Sequence, residues 1–300
     1  MKTNLFELGF IHVDDLIFHE TCDFSRVCKL ADRIKSDGHL KNPVLVAGFP
    51  PGGAPAGLAC TEKEKLLVLD GTNRVSALKL LGFPHVLAQK VDYTDPRVEL
   101  TSWNHLLFRI SKDKLIEKLE GSNLKIVSLG SEWYPGDGLL VLDDVQAGST
   151  MDGKVVCLLI FRDHSGLVVN QKDQSPESRI KGLSSVIALY NASWEVFHPG
   201  SGDGLLTAFD AMESCSAINV LPRFAKEEVI DLASRGVLFP SGVTRFVIPQ
   251  WVLGLEISCS VLADKAPLSE KNLFLKELLS YRMKTKKAKF YQESVFLFNE

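Results

Sequence analysis

The chain has 300 residues, 45% of them apolar, and a formal net charge of −3. That length and composition allow one large domain or two modest ones with a real core, and the slight acidity excludes a global basic field for bulk binding to nucleic acid, a local patch aside. No run reaches the ~20 apolar residues of a membrane span, and the start MKTNLFELGFIHVDD lacks the basic opening and apolar core of a secretion signal.

Six cysteines (Cys22, Cys28, Cys60, Cys157, Cys215, Cys259) are scattered without a CxxC pair or zinc spacing. The expectation is a soluble, cytoplasmic protein with reduced thiols.

In chain order, Leu16-Ile17-Phe18 is a short strand. Asp23 caps a helix whose apolar stripe is Phe24, Val27, Cys28, Ala31 and Ile34 and which Gly38 terminates. Asn42-Pro43 leads into the strand Val44–Ala47, and the Gly/Pro-rich segment 48–65 reads as a mobile surface loop. Leu66–Leu69 is a buried strand, followed by a helix carrying Val75, Leu78 and Leu81, then by a strand over His85–Tyr93. This alternation predicts an α/β fold.

The charged stretch SKDKLIEKLEGSN suggests a division, setting 1–110 against 111–300. Beyond it, VVCLLIF and GLVV flank Arg162-Asp163-His164-Ser165 as a hairpin. Helices are predicted over 180–192, with Leu183, Val186, Ile187 and Tyr190 on one face, over Lys226–Arg235 before Gly236, and through LFLKELLSYR. The RMKTKKAK cluster reads as a solvated tail, and no internal repeat is present.

The chemistry gathers where a strand turns into a helix, at Asp70-Gly71-Thr72-Asn73-Arg74. A helix N-terminus presents unpaired N–H groups and a partial positive charge that attract phosphate. Gly71 permits a tight turn, Thr72 and Asn73 offer a hydroxyl and an amide, and Arg74 offers a planar fork for phosphate oxygens. Asp70 can hold a magnesium ion or accept a proton. The plainer alternative is a capped helix with a solvated arginine.

Glu20 also follows a strand, and ligands of open α/β sheets bind at that edge. Two carboxylates there suit phosphoryl transfer, one taking a hydroxyl proton and the other holding the metal. Glu20 as a first-turn helix acid and His19 as a packing residue are the competing readings. Ser102-Trp103-Asn104-His105 suits a pocket lining, and Thr244-Arg245 suits a carboxylate clamp.

In this order, LIFHE, LKNPVLVA, LLVLDGTNRVSALKLLG, SWNH and FPSGVTRFVIP resemble the free L-serine kinases of the ParB/sulfiredoxin-like superfamily, over residues 9–107 and 222–257. The resemblance implies an α/β fold with mixed sheets: an N-terminal nucleotide-binding lobe, a smaller C-terminal lobe and a cleft between them. It implies transfer from ATP or ADP, with Mg2+, to the hydroxyl of free L-serine, giving O-phospho-L-serine for biosynthesis.

Carried over by position, Glu20 is the base, Asp70 the catalytic metal ligand, and Asn42, Gly71, Thr72, Asn73 and Arg74 the phosphate-binding set. His19, Trp103, His105, Thr244 and Arg245 fall to the substrate. The chain carries Asn73 and Phe246 where such kinases commonly carry histidine. A homodimer is left open.

A ParB-type nucleotide-dependent DNA-binding protein is the alternative reading, weakened by the net charge and by a hairpin where a helix-turn-helix belongs. Sulfiredoxin-like chemistry needs a cysteine in the turn, where Thr72 stands. A degenerate member that only senses nucleotide or serine is the remaining alternative.

Overall fold

The structure, a computed structural model, describes residues 6–49, 65–133, 155–171, 173, 175–190, 194–197 and 202–290. Cys60 and nearly all of the Gly/Pro-rich segment lie outside the described residues. The first half comprises β1 (Glu7–His12), β2 (Leu16–Phe18), α1 (Phe24–Asp37), β3 (His39–Leu40), β4 (Val44–Gly48), β5 (Leu66–Asp70), α2 (Thr72–Leu80) and β6 (His85–Val91).

Asp23 accepts from the Ser25 and Arg26 amides to cap α1, and Gly38 ends it at φ 73°. Phe24, expected on the apolar stripe, is exposed; Val27, Ala31 and Ile34 carry the buried face. β1 has no counterpart among the expectations, because only Phe10 of its six residues is buried and no alternation marks it.

The second half runs through β7 (Glu99–Ser102), β8 (Asn104–Phe108), α3 (Lys112–Glu120), β9 (Lys125–Leu129), β10 (Val155–Phe161), β11 (Gly166–Asn170) and α4 (Pro176–Ala188). It continues with β12 (Trp194–Phe197), α5 (Gly202–Ala211), β13 (Cys215–Val220), α6 (Lys226–Ser234), β14 (Thr244–Val247), β15 (Ile257–Ser258), α7 (Cys259–Ala263) and α8 (Leu268–Lys284). The β10–β11 hairpin forms as expected. α4 starts four residues before the predicted 180, because Ser175 caps it and Pro176, with no amide hydrogen to lose, opens it.

Two sheets dominate. The first has strand order β1-β6-β4-β5-β2 and the second β12-β8-β13-β10-β11-β9, with two-stranded ribbons β14-β7 and β15-β3 beside them. Pairing in the first sheet is mixed: β2 lies parallel to β5, β4 parallel to β6, and β4 antiparallel to β5.

Alternation explains the layering. Val44, Val46, Leu66 and Val68 face a core with Val27, Val75 and Leu78, while Leu45, Ala47, Leu67 and Leu69 face a second core shared with Leu159, Phe161 and Leu183. The far face of the second sheet packs Leu158, Ile160 and Ile218 against Leu205 and Phe209 of α5. The packing does not follow one cut: β8 joins the second sheet, while Leu255, Ile257, Leu262 and Leu275 return to the core of the first.

Candidate active site

The parallel pairing of β2 with β5 sets Phe18 beside Val68. Two residues further on, Glu20 and Asp70 therefore leave the sheet at the same edge. Because β4 runs antiparallel to β5, its entry, Asn42-Pro43, lies at that edge as well.

Gly71 makes the turn possible. Its φ of 102° lies in the left-handed region, and a Cβ there would sit 2.8 Å from Val44 Cγ1. Gly71 is also the N-cap of α2, and no side chain caps the helix. Thr72 is the first helical residue and is buried. The opening N–H groups of α2 are thus left for another acceptor.

Arg74 is engaged within the protein. Its guanidinium pairs with the Asp70 carboxylate and donates to the carbonyls of Asn42 (3.2 Å) and Pro43 (2.6 Å). The Asn42 side chain accepts from the Gly254 amide at 2.8 Å. Asn73 accepts from the Asp23 amide at 3.3 Å, bracing the start of α1 against the start of α2.

The second wall of the site is the segment 239–247. Phe239 N–H donates to the His19 carbonyl and Thr21 N–H to the Phe239 carbonyl, both at 2.8 Å, so the chain beside Glu20 is zipped to the turn before β14. Glu20 Oε1 then accepts from the amides of Val243 (3.2 Å) and Thr244 (2.7 Å) and from the Thr244 hydroxyl (2.5 Å), while Oε2 takes only a long contact from Gly242 N–H at 3.4 Å.

His19 is buried, with Nδ1 at 2.7 Å from the Val68 carbonyl and Nε2 at 2.6 Å from Thr244 Oγ1. Burial pushes its pKa down, against the opposing pull of Glu20, the Val68 carbonyl and Asp70. Both acids therefore act on one imidazole.

His105 is also buried, with Nε2 on the Gly242 carbonyl (2.8 Å) and Nδ1 on the Tyr190 hydroxyl (2.9 Å), which accepts from Asn219 at 2.6 Å. Burial lowers its pKa to about 4. His19 and His105, both expected among the substrate contacts, are enclosed rings with both nitrogens in hydrogen bonds, and they hold the turn that binds Glu20.

Trp103 and Arg245 stay partly exposed and stack, with the guanidinium carbon 4.9 Å from the ring centre. Register explains this: Arg245 pairs with Thr101 and Thr244 with Ser102, so the two neighbours point to opposite faces. The backbone amides of 242–244 and the Tyr190–Asn219 support escape sequence reasoning. The only signal for the first is the Pro240-Ser241-Gly242 turn, and Tyr190 reads as ordinary core.

Two surface depressions among the described residues lie elsewhere. One lies along α8 at Leu273, Lys276 and Tyr281, and the other lies beside Phe49, Lys90 and Thr94, at the opposite edge of the first sheet. Among the described residues no cluster of three or more histidine, cysteine or acidic side chains could cage a metal. Magnesium, however, prefers one or two carboxylates together with substrate phosphates, and Asp70, half exposed beside an uncapped helix start, fits that role.

A mixed-sheet α/β protein whose strand-edge acids flank an open helix N-terminus is the class these features define. The chain is homologous to L-serine kinases. It is 25% identical over 242 residues, 80% of this chain and 84% of the other, to the ATP-dependent L-serine kinase of Staphylothermus marinus. It is 21% identical over 252 residues, 83% and 90% of the two chains, to the ADP-dependent L-serine kinase SerK of Thermococcus kodakarensis.

Among solved structures, C-terminally truncated SbnI from Staphylococcus aureus superposes with a TM-score of 0.65 at 18% identity, covering 92% of this chain and 97% of that one. A free serine kinase in complex with AMP does so with a TM-score of 0.60 at 18% identity, covering 84% and 91%. No family model matches the sequence. The mixed α/β fold expected from the motifs holds, and the similarity to L-serine kinases extends over most of the chain.

Proposed function

We propose that this protein is a kinase that transfers a phosphoryl group from ATP or ADP to the hydroxyl of free L-serine, giving O-phospho-L-serine for biosynthesis in the cytoplasm. The observation that carries this reading is the emergence of Glu20 and Asp70 from neighbouring parallel strands at one edge, beside an N-terminus of α2 that no side chain caps.

Serine's hydroxyl is a weak nucleophile, so a positioned base and held phosphates are what the reaction needs. Glu20 Oε2, which takes only one long internal contact, accepts the hydroxyl proton. The first-turn amides of Thr72, Asn73 and Arg74 receive phosphate oxygens, and Gly71 lets the phosphates approach. With Arg74 turned toward the phosphates, Asp70 would hold Mg2+, which would neutralise phosphate charge. Arg245, held against Trp103, takes the serine carboxylate.

The division at 110/111 belongs to this reading in an amended form: nucleotide binding rests on 1–110 together with the returning 252–284 segment. The DNA-binding alternative gains no support, since residues 155–170 form a sheet hairpin.

The test is direct. The protein is incubated with Mg2+, ATP or ADP, and serine, threonine or homoserine, and phosphorylated amino acid is sought by mass spectrometry. Phosphoserine with at least one donor is expected; its absence with both donors overturns the reading.

A further inference from the structure

The hydrogen bonds behind Glu20 do not balance with an ionised carboxylate and a neutral imidazole. The Val68 carbonyl has no proton to give, so His19 Nδ1 must donate to it across 2.7 Å. Two close contacts remain, Nε2 to Thr244 Oγ1 at 2.6 Å and Oγ1 to Glu20 Oε1 at 2.5 Å. Each needs a proton, since lone pairs facing each other at that separation repel. The threonine hydroxyl supplies one. A second must sit on Nε2 or on Oε1.

We propose that Glu20, Thr244 and His19 form one proton-sharing unit, in which Thr244 and His19 set the protonation of the base instead of touching serine. This rests on the kinase reading for its reaction and on the hydrogen-bond geometry for its existence.

The surroundings balance the two ends. At one end, the amides of Val243 and Thr244 donate to Oε1 beside the threonine hydroxyl. His19 is enclosed edge-on by Phe239 and Phe246, at 6.3 and 5.7 Å between ring centres, and dry surroundings favour its neutral form, which returns the proton to Glu20. The charges that reach His19 are Glu20 and Asp70, and both favour imidazolium; burial opposes them and prevails. Phe246, buried and edge-on to the His19 ring, helps keep the site dry.

In the reaction the serine O–H bond breaks as Oε2–H forms. The Oε1 proton moves to Oγ1, and the Oγ1 proton moves to Nε2. The freed electron pair on the serine oxygen bonds phosphorus, and the bridging oxygen of the nucleotide leaves with the pair of the broken P–O bond. Release of the Oε2 proton to water resets the chain.

Thr244→Val and Thr244→Ser test this in the full chain, the first deleting the hydroxyl at nearly constant shape and the second retaining it. The ring nitrogens of His19 are followed by 15N NMR from pH 5 to 9, with and without Glu20→Gln. In the native chain Nε2 is expected at a shift between its protonated and unprotonated values and to move on Glu20→Gln. In Thr244→Val it becomes unprotonated and indifferent to residue 20, while Thr244→Ser keeps the native response. An Nε2 signal unmoved by both Thr244→Val and Glu20→Gln overturns the proposal.

Kinetically, Thr244→Val should lower kcat roughly 10-fold or more with little change in the KM for serine, and shift the acid limb of kcat/KM. A raised KM with unchanged kcat would make Thr244 a substrate contact and overturn the proposal too. A coupled NMR response in a protein that phosphorylates no serine would support the unit and discard the kinase reading alone.

Discussion

Glu20 is more than a carboxylate at a strand edge: one of its oxygens is saturated by three donors from 243–244, and the other carries a single long contact. Glu20→Gln keeps an acceptor at Oε1 and removes the base. Serine phosphorylation should then fall about 10²- to 10⁴-fold while nucleotide affinity, measured by calorimetry, stays within about twofold. His105 supports the same turn from the core, and its pKa, lowered from 6.5 to about 4, makes a stability statement. Between those values the unfolded chain binds a proton that the folded chain refuses, so stability is lost as pH falls from 6.5 toward 4. The loss amounts to about 3 kcal/mol. His105→Gln should flatten that part of the curve in denaturant titrations; an equally steep fall would refute the assignment. His19 and His105 were legible as polar residues near a site. Their enclosure was not, because burial on both sides comes from the distant 239–246 segment and from Tyr190.

At the scale of elements, the turn between β5 and α2 depends on one glycine. Gly71→Ala places a methyl 2.8 Å from Val44 Cγ1 and 3.1 Å from the Arg74 guanidinium, at a φ that side chains resist. The expected cost is about 1–3 kcal/mol, read as a lower Tm, together with weakened nucleotide binding; wild-type values of both would show that the turn tolerates a side chain. The glycine and its turn could be read from DGTNR, since only glycine adopts that conformation cheaply. The cap could not. Threonine is a common N-cap, and the shift to Gly71 with Thr72 buried follows from how α2 packs on β4 and α1. α4 starts ahead of the expected 180 for a local reason: Ser175-Pro176 is a capping signal that lies upstream of the apolar spacing.

For the whole molecule, the C-terminal segment is structurally part of the beginning. Asn272 accepts from the Phe10 amide at 2.7 Å, and buried Lys271 donates to the carbonyls of Val261 (2.6 Å) and Asp264 (2.5 Å), tying α8 to the end of α7. Four apolar side chains there, Leu255, Ile257, Leu262 and Leu275, complete the core of the first sheet. At about 1.5–3 kcal/mol each, their loss is comparable to the entire stability of a domain. Deletion of 252–300 should therefore abolish cooperative unfolding of residues 1–110 as followed by hydrogen exchange; persistent protection of β4 and β5 would show that the first sheet stands without it. No pattern in residues 252–284 announces this return, because an apolar helix face does not name its partner.

By itself the sequence determined the α/β class, most elements of the first third, and the motif set that resembles serine kinases, since strand runs, glycine turns and acids before helices are local signals. Tertiary structure decided which chemistry each residue is free to do. It paired Arg74 with Asp70 beside two carbonyls, enclosed His19 and His105, and aimed three backbone amides at Glu20. Apart from the local Asp70–Arg74 pair, these depend on contacts between segments tens to hundreds of residues apart, where packing rather than local propensity sets the geometry.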